Sequence, residues 1–417
     1  MRRTSKGLSA ACAIVAAGLV AAGCGEGDGG DAASATCVSG NTLTIYSSIP
    51  FDPTDRKQSD DIVDGEKLAL EEVGGKVGKY DIKYVSLDDS TPSAGKWDAG
   101  KTSSNARQAA QDKTTIAYLG EFNSGASAVS MPIINRAGIL QISPANTYLG
   151  LTKKTPDPAE PAKYRPSGDK TYGRVVPADN IQAAAQATYQ RQNGVTKLYV
   201  LNDKEVYGKG LANEVEKAAK AQGIAVATNE EIDPKSANFR TVASKVKASG
   251  ANGMFFGGIT ANNAVQLFKD VHAASPDVKL FGPDGVAQSD FTEGLGSAGS
   301  VTFVTNPTLD PALYPPAAKR FYAAFERKYG SDRPEPYAIY GYEAMEATLQ
   351  ALKNAGGKAN CRKDVIDQFF ATNDRESVLG TYSIDPDGDT TLTDYGGNRV
   401  RDGELVFDKV IKAKTSG

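Results

Sequence analysis

The sequence predicts an α/β protein with two doubly wound lobes, each a parallel sheet covered by helices on both faces. Three observations lead to this prediction. From residue 42 onward, short apolar runs alternate with longer amphipathic segments, which is the pattern of repeated βα units. The chain has 417 residues, more than a single hydrophobic core usually serves. A Pro- and Lys-rich stretch without periodicity, residues 151–168, separates two series of units.

Strands and helices are assigned from periodicity and from the turn residues that end each run. The strand candidates are LTIYSS (43–48), IKYVSL (82–87), TIAYLG (115–120), YGRVV, KLYVL, GMFFG, VKLFG and VTFVT. Helices are predicted within 62–73, 103–111, from Ser124 onward, and within 211–222, 239–249, 261–274 and 337–355. Residues 385–397, DPDGDTTLTDYGG, are predicted to be turns.

The N-terminus has the features of an export signal. Arg2, Arg3 and Lys6 precede the uncharged apolar run 8–20, which is too short to be a spanning helix. The run is followed by Ala-Ala-Gly-Cys24, which resembles a bacterial lipobox. Residues 1–23 are therefore predicted to be removed and Cys24 to carry lipid. The alternative is an ordinary signal peptide cut nearby. Residues 24–37, rich in Gly, Asp, Ala and Ser, are then a flexible tether.

Residue usage argues against several functional classes. The formal net charge is −3, so no nucleic-acid partner is indicated. The single histidine, His272, excludes a His-based triad and a His-rich metal site, and neither an enzyme nor a cofactor is expected. After export and lipidation, Cys37 and Cys361 remain. In an oxidising compartment we expect them to be bridged, the alternative being two unpaired small apolar residues.

Two glycine-rich motifs suggest nucleotides but lack the right context. Residues 95–102, GKWDAGKT, match the phosphate-loop pattern, yet the preceding strand ends near residue 87 and Asp88 and Asp89 follow it. With 43 glycines in the chain, a chance match is unsurprising, and a polar loop that enters a helix is the simpler interpretation. Residues 294–299, GLGSAG, precede a strand, whereas a dinucleotide motif follows one.

Three turns that follow strands are better candidates for a ligand site. Residues 120–127, GEFNSGAS, lead from a strand into a helix and offer N–H groups and hydroxyls to a carboxylate. Residues 142–147, ISPANT, and 282–285, GPDG, also follow strands, and Asp284 offers a carboxylate to an ammonium group. Ligands of α/β sheets bind at these strand ends. N-capping by Ser124 and an ordinary β-turn are the alternatives.

Over most of its length the chain resembles the leucine/isoleucine/valine-binding type of solute-binding protein. The matching segments, in order, are GEFNSGAS, QISPANT, NDKEVYGKGLA, DPKSANFRTVASKVKASGANGMFFGG and LFGPDGVA. The resemblance implies the type I periplasmic-binding fold and the extracytoplasmic receptor of an ABC importer. It further implies ligand contacts from residues of both lobes: Ser124, Ala145, Thr147, Tyr207, Asp284 and Tyr337.

The chain departs from that family where the ligand side chain is held. Asp284 stands where such receptors often carry Glu. The segment 48–65 brings Asp52, Asp55, Arg56 and Lys57 in place of a Gly-rich apolar loop, and it puts Gln58 where an aromatic residue is often found. Ile259 likewise replaces an aromatic residue. A polar or charged side chain, or a small amide, therefore stays open beside a branched-chain ligand, and Arg56 and Lys57 could equally belong to a solvated loop.

The resemblance also implies the organisation of the mature chain. The N-terminal lobe would hold 38–147 plus 286–400, and the C-terminal lobe 148–285 plus 401–417. We expect a monomer, lipid-anchored at the outer face of the cell membrane or in the periplasm, that delivers a small amino acid to a membrane permease. A ligand-sensing receptor of the same fold, for an amide or urea or for a polar amino acid, is the alternative.

Overall fold

Two large β-sheets with their covering helices, and two short two-stranded sheets, make up the computed structural model, which describes residues 37–413. The predicted signal, Cys24 and the tether up to residue 36 lie outside the described residues. The strands are β1 (Thr42–Ile49), β2 (Lys76–Val77), β3 (Tyr80–Asp88), β4 (Ser90–Thr91), β5 (Lys96–Trp97), β6 (Thr115–Gly120), β7 (Leu140–Ser143), β8 (Tyr172–Arg174), β9 (Lys197–Asn202), β10 (Ala225–Glu231), β11 (Gly253–Gly257), β12 (Lys279–Gly282), β13 (Thr302–Asn306), β14 (Arg375–Ser377), β15 (Gly380–Tyr382), β16 (Asp394–Arg401) and β17 (Glu404–Lys412). The α-helices are α1 (Arg56–Glu72), α2 (Ala99–Gln111), α3 (Ser124–Arg136), α4 (Asp179–Gln192), α5 (Val206–Ala221), α6 (Arg240–Ala248), α7 (Ala264–Ala274), α8 (Ser289–Gly294), α9 (Pro316–Tyr329), α10 (Ala338–Ala355) and α11 (Arg362–Phe370).

Each sheet is parallel over most of its width. The first has the order β2-β3-β1-β6-β7-β8, in which only β2 runs antiparallel to its neighbour. The second has the order β10-β9-β11-β12-β13-β16-β17. Its strands are parallel up to β13, β16 runs antiparallel to β13, and β17 runs antiparallel to β16. The prediction of doubly wound, mainly parallel sheets is thus confirmed. Strand order reverses at β1 and at β9, and ligands bind at such switch points.

The chain passes from one sheet to the other at residues that differ from the expected lobe boundaries. Strand β8 pairs with β7 in the first sheet, although residues after 147 were expected in the other lobe. Strand β13 pairs with β12 in the second sheet, and β16 pairs with β13. Hydrogen-bond pairing decides sheet membership, and a strand's own sequence does not encode its partner. Here "first lobe" and "second lobe" denote the first and second sheets with their covering helices.

The first lobe is completed by helices from late in the sequence, because α10 packs along α1. Glycines allow the two backbones to approach. A Cβ on Gly65 would lie 2.9 Å from the Tyr342 nitrogen, and one on Gly341 would lie 2.9 Å from Ile62 Cγ2. Both helices bury apolar side chains in one core with β1, β3 and β6. The chain therefore returns to the first lobe after building most of the second.

A disulfide joins Cys37 to Cys361 and closes a loop with a sequence separation of 324 residues. Cys37 lies just before β1, and Cys361 is the N-cap of α11, which packs on the first sheet. The predicted bridge is confirmed, and it ties two segments of one lobe. In the part of the chain that the structure describes, no helix has the length and apolar composition needed to cross a membrane.

The phosphate-loop-like motif is a hairpin strand followed by a capped helix. Lys96 and Trp97 form β5, and α2 begins at Ala99, four residues earlier than predicted. The Asp98 carboxylate accepts a hydrogen bond from Lys101 N at 2.9 Å. This side chain occupies the helix N-terminus where a phosphate would bind. At 294–299, the chain forms the end of α8 and a 3-10 helix that precedes β13, as predicted.

Candidate functional site

Asp284 joins three segments of the chain. It follows β12, at the carboxyl end of the second sheet, and is buried. Tyr207, in the first turn of α5, donates its hydroxyl to Asp284 Oδ1 at 2.6 Å. Tyr337, the N-cap of α10 in the first lobe, donates to Oδ2 at 2.5 Å. Asp284 therefore links both lobes, and the structure brings together three of the predicted site residues.

A second carboxylate lies close to Asp284. Asp179 is the first residue of α4, is fully buried, and has no hydrogen-bond partner for either side-chain oxygen. Burial, and next the charge of Asp284, raise the pKa of Asp179 well above its ordinary value. Burial also raises the pKa of Asp284. Two buried carboxyl groups that repel each other in this way favour a cation or a proton between them.

Ser124, Ala145 and Thr147 lie at the carboxyl end of the first sheet, as the resemblance implies. Ser124 begins α3, and its Oγ accepts a hydrogen bond from Tyr148 N at 3.3 Å. Thr147 is buried and its hydroxyl has no hydrogen-bond partner, while its carbonyl accepts from Asp179 N at 2.8 Å. This group therefore adjoins Asp179 and offers the free hydroxyl of Thr147 in a buried position.

Gln58 and Ile259 hold different positions relative to Asp284. Gln58, in α1, donates to Gln288 Oε1 at 3.1 Å and accepts from Tyr337 N at 3.4 Å, so it belongs to the same network. Ile259 follows β11, and its N–H donates to Asp203 Oδ2 at 3.2 Å. Its side chain packs in the same core cluster as Tyr207. Aromatic contact in the network comes from Phe122, whose ring meets the Tyr337 ring edge-on at 5.8 Å.

A separate set of contacts joins the lobes at the hairpin β4–β5. Lys96 pairs with Glu205 and also donates to Asn262 Oδ1 at 2.8 Å. Trp97 Nε1 donates to Glu205 Oε2 at 3.0 Å. We name Lys96, Trp97, Glu205 and Asn262 the interlobe clasp. A Cβ on Gly125 would lie 2.9 Å from Trp97 Cη2, so the indole packs against the first turn of α3, beside Ser124.

A family model described as periplasmic binding protein matches residues 54–403, which is most of the chain. The chain belongs to the periplasmic binding protein family. It is accordingly an extracytoplasmic solute-binding protein and not an enzyme. Within residues 37–413, no group of three or more His, Cys, Asp and Glu side chains is arranged to hold a metal ion.

Similar proteins bind amino acids or aromatic acids. A leucine-, isoleucine-, valine-, threonine- and alanine-binding protein of Pseudomonas aeruginosa is 25% identical over 79% of this chain and 82% of its own length. A Leu/Ile/Val-binding protein homolog of Brucella suis is 26% identical over 79% of this chain and 83% of its own. Among solved structures, a leucine-binding protein of Thermotoga maritima aligns with a TM-score of 0.77, at 21% identity over 89% of this chain and 99% of its own. A benzoate-bound protein from R. palustris aligns with a TM-score of 0.74, at 18% identity over 89% of this chain and 97% of its own.

Sequence reasoning missed Asp179, Gln288 and the clasp. Asp179 comes shortly after a predicted strand and Pro177, so the sequence could have indicated that it begins a helix. The sequence does not indicate that its side chain is buried. Gln288 bridges Asp55 and Gln58 from the other lobe, at 3.0 and 3.1 Å. Such contacts join residues more than 200 positions apart and leave no local pattern in the sequence.

Proposed function

We propose that this protein is the receptor of an ABC importer that binds one small amino acid between its lobes and delivers it to the permease. The first lobe would hold the ligand through Ser124, Ala145 and Thr147. The second would contribute Tyr207 and Asp284, with Tyr337 and Gln58 from α10 and α1 beside them and Ile259 behind.

The observation that carries this proposal is the buried Asp284 carboxylate between hydroxyls of both lobes. It lies next to Asp179, so the α-ammonium group of an amino acid would supply the positive charge that this pair lacks. The N-terminus of α3 would supply N–H groups to the α-carboxylate. The names of the relatives support an amino-acid ligand: the P. aeruginosa protein is named for five amino acids, and a Streptococcus pneumoniae receptor, similar with a TM-score of 0.75, was solved with isoleucine.

Titration calorimetry on the exported protein tests this proposal. The probes are the L-amino acids, simple amides and urea. We expect one saturable class of α-amino acid, with affinity reduced at least about 100-fold in Asp284→Asn, because a buried charge-assisted contact is lost. Asp277→Asn is the matched control, since Asp277 is an exposed acid of the same lobe. Binding of amides or urea alone, or an unaltered affinity in Asp284→Asn, would refute the amino-acid assignment.

We also propose that Cys24 carries the lipid anchor and that the protein acts as a monomer. The expected results are membrane-fraction recovery for the unaltered protein, release to the soluble fraction for Cys24→Ser, and a monomeric mass by light scattering. Deletion should abolish uptake of the ligand. Uptake that persists while a transcriptional response to the ligand is lost would favour a sensing receptor instead.

A further inference from the structure

The carboxyl end of the first sheet is lined by buried acids. Asp52 and Asp55 follow β1, Asp89 follows β3, and Glu121 follows β6. All four are buried. We name them the edge carboxyls. They share this edge because the carboxyl ends of parallel strands meet at one side of the sheet.

This edge faces the second lobe. Gln288, which precedes α8, donates to Asp55 Oδ1 and to the Thr54 carbonyl, both at 3.0 Å. Trp97, in the hairpin that follows Asp89, reaches Glu205 of the second lobe. The edge carboxyls therefore lie beside the interlobe contacts where a solute would be held.

Within the described residues, no basic side chain forms an ion pair with any edge carboxyl. The nearby bases are paired elsewhere: Arg56 with Asp60 at 2.7 Å, Lys57 with Glu335 at 3.0 Å, and Lys96 with Glu205. Several acceptor atoms at this edge, one of them on the neutral side chain of Asn123, also accept no hydrogen bond from an N–H or O–H group of the described residues, so that Asp89 and Glu121 Oε2 could be hydrogen-bonded only to each other through a shared proton. These atoms are Asp52 Oδ2, Asp55 Oδ2, both Asp89 carboxylate oxygens, Glu121 Oε2 and Asn123 Oδ1.

The edge carboxyls also raise one another's pKa values, because their negative charges repel. Burial, and next the charge of Asp52, raise the pKa of Asp55 to about 7, and Asp290 adds to the shift. Burial, and next the charge of Glu121, raise the pKa of Asp89 well above its ordinary value, with Asp88 and Asp55 contributing. Burial raises the pKa of Glu121 and of Asp52. Such a cluster is neutralised by bound protons or by a cation.

An amino acid with an aliphatic side chain cannot serve this edge, because its one ammonium group is required at Asp284 and Asp179 and its side chain has no donor for these acceptors. An amide or hydroxyl side chain supplies donors but no charge to compensate the carboxyl groups. A guanidinium or ammonium group carries donors only, which is the complement of an edge that lacks donors. Its methylene stem could pack on the rings of Phe122 and Tyr337, as basic side chains do on apolar surface.

We propose that the cleft selects an amino acid whose side chain ends in a cation, an arginine- or lysine-like ligand, and that the edge carboxyls form its side-chain site. This inference rests on the proposed amino-acid-receptor function and names the substrate class of that same site.

Calorimetry with matched pairs of ligands tests the inference. L-Arginine is compared with L-citrulline, its uncharged near-isostere, and L-lysine with L-norleucine; L-leucine is included. We expect the better basic ligand to bind at least about 30-fold more tightly than its neutral partner, the range of a buried charge-assisted contact. In Asp55→Asn and Glu121→Gln this ratio should fall at least about tenfold, because each variant removes one charge from the site of the ligand side chain. Asp81→Asn, an exposed acid at the opposite end of β3, should leave the ratio unchanged.

A second measurement needs no variant and so does not depend on their folding. Titrations at about pH 6.5 in two buffers of different ionisation enthalpy report protons released on binding. The basic ligand should release about one proton or more, because it displaces protons from the edge carboxyls. Tight leucine binding without basic-ligand binding would overturn this inference and leave the proposed function standing. An unchanged ratio in both variants, or no proton release, would also overturn it. If no amino acid bound, both this inference and the proposed function would be overturned.

Discussion

If the lobes close around the ligand, the interlobe clasp should contribute to affinity without touching the ligand. Glu205→Gln tests this. Glu205 is 15% and Lys96 27% exposed as side chains, so the pair is partly shielded from solvent. Glu205 also accepts from Trp97 Nε1 at 3.0 Å and from Asn262 Nδ2 at 2.9 Å. Gln keeps the size of the side chain and removes its charge.

The expected effect follows from the number of bonds that lose their charge. Hydrogen bonds to charged groups contribute about 1.5–3 kcal/mol each at most, and solvent screening of this partly exposed pair reduces that contribution. We take a net loss of about 1.5–3 kcal/mol for the set. If the clasp exists only in the closed arrangement, its loss raises the free energy of the closed arrangement relative to the open one by that amount. The ligand Kd then rises about 10- to 100-fold.

Calorimetric Kd and stopped-flow dissociation rates measure the effect, and the loss should fall mainly on dissociation. Glu216→Gln is the matched control, because it removes the charge from an ion pair with Lys220, at 2.6 Å on the same helix, without an interlobe contact. A Lys96→Met/Glu205→Gln double-mutant cycle should show coupling between the two residues. A Kd within twofold of the unaltered protein in Glu205→Gln, or equal losses in both glutamine variants, would refute the clasp.

Three further predictions concern stability. Reduction, or Cys361→Ser, should lower the melting temperature, since cross-linking a loop with a sequence separation of 324 residues is worth about 6 kcal/mol in the chain-entropy model; equal melting curves with and without reductant would contradict this. Asp98→Ala should cost about 1 kcal/mol as a lost N-cap of α2 in denaturant melts, and calorimetry should detect no Mg-ATP binding in either form; ATP binding that requires Lys101 would contradict the assignment of this motif. Because burial raises the pKa of Asp55 to about 7 from about 3.9 in the unfolded chain, the folded state retains that proton longer, and stability should fall through this group between about pH 4 and pH 7. Asp55→Asn should remove that part of the slope, by at most about 1.4 kcal/mol per pH unit; parallel pH profiles for the two proteins would exclude it.

The fold class was predictable because it depends on local patterns. Each apolar run of β1, β6 and β9 is followed by an amphipathic segment, and that alternation requires parallel strands with crossover helices. Strand β8 is only three residues long, too short for periodicity to indicate its sheet. Strand β16 begins within the stretch predicted as turns, because the glycines of DYGG suggested turns where the structure has a strand. Its pairing with β13 and β17 supplies what its own sequence lacks.

For the candidate site, too, local features could be predicted from the sequence and long-range contacts could not. Ser124, Asp284 and Tyr207 lie in turns and helix starts next to strand ends, and such positions can be read from sequence. What the sequence does not reveal is which charges meet. Asp55 and Lys57 are two residues apart, yet Lys57 pairs with Glu335 while Asp55 accepts from Gln288. The charges of segment 48–65 were compatible with a solvated loop; in the structure Asp52 and Asp55 are buried, whereas Arg56 and Lys57 pair with other acids.

This separation of acids from bases is the feature that most constrains the ligand. A receptor for a neutral amino acid needs one carboxylate for the ammonium group, and Asp284 with Asp179 already meets that need. Burying further carboxyl groups without ion-pair partners destabilises the protein, so their presence beside the interlobe contacts requires a compensating role. Ligand binding can compensate, since a cation that binds only the folded protein stabilises it. On this argument the relatives indicate the α-amino-acid part of the site, while the edge carboxyls determine the side chain it accepts.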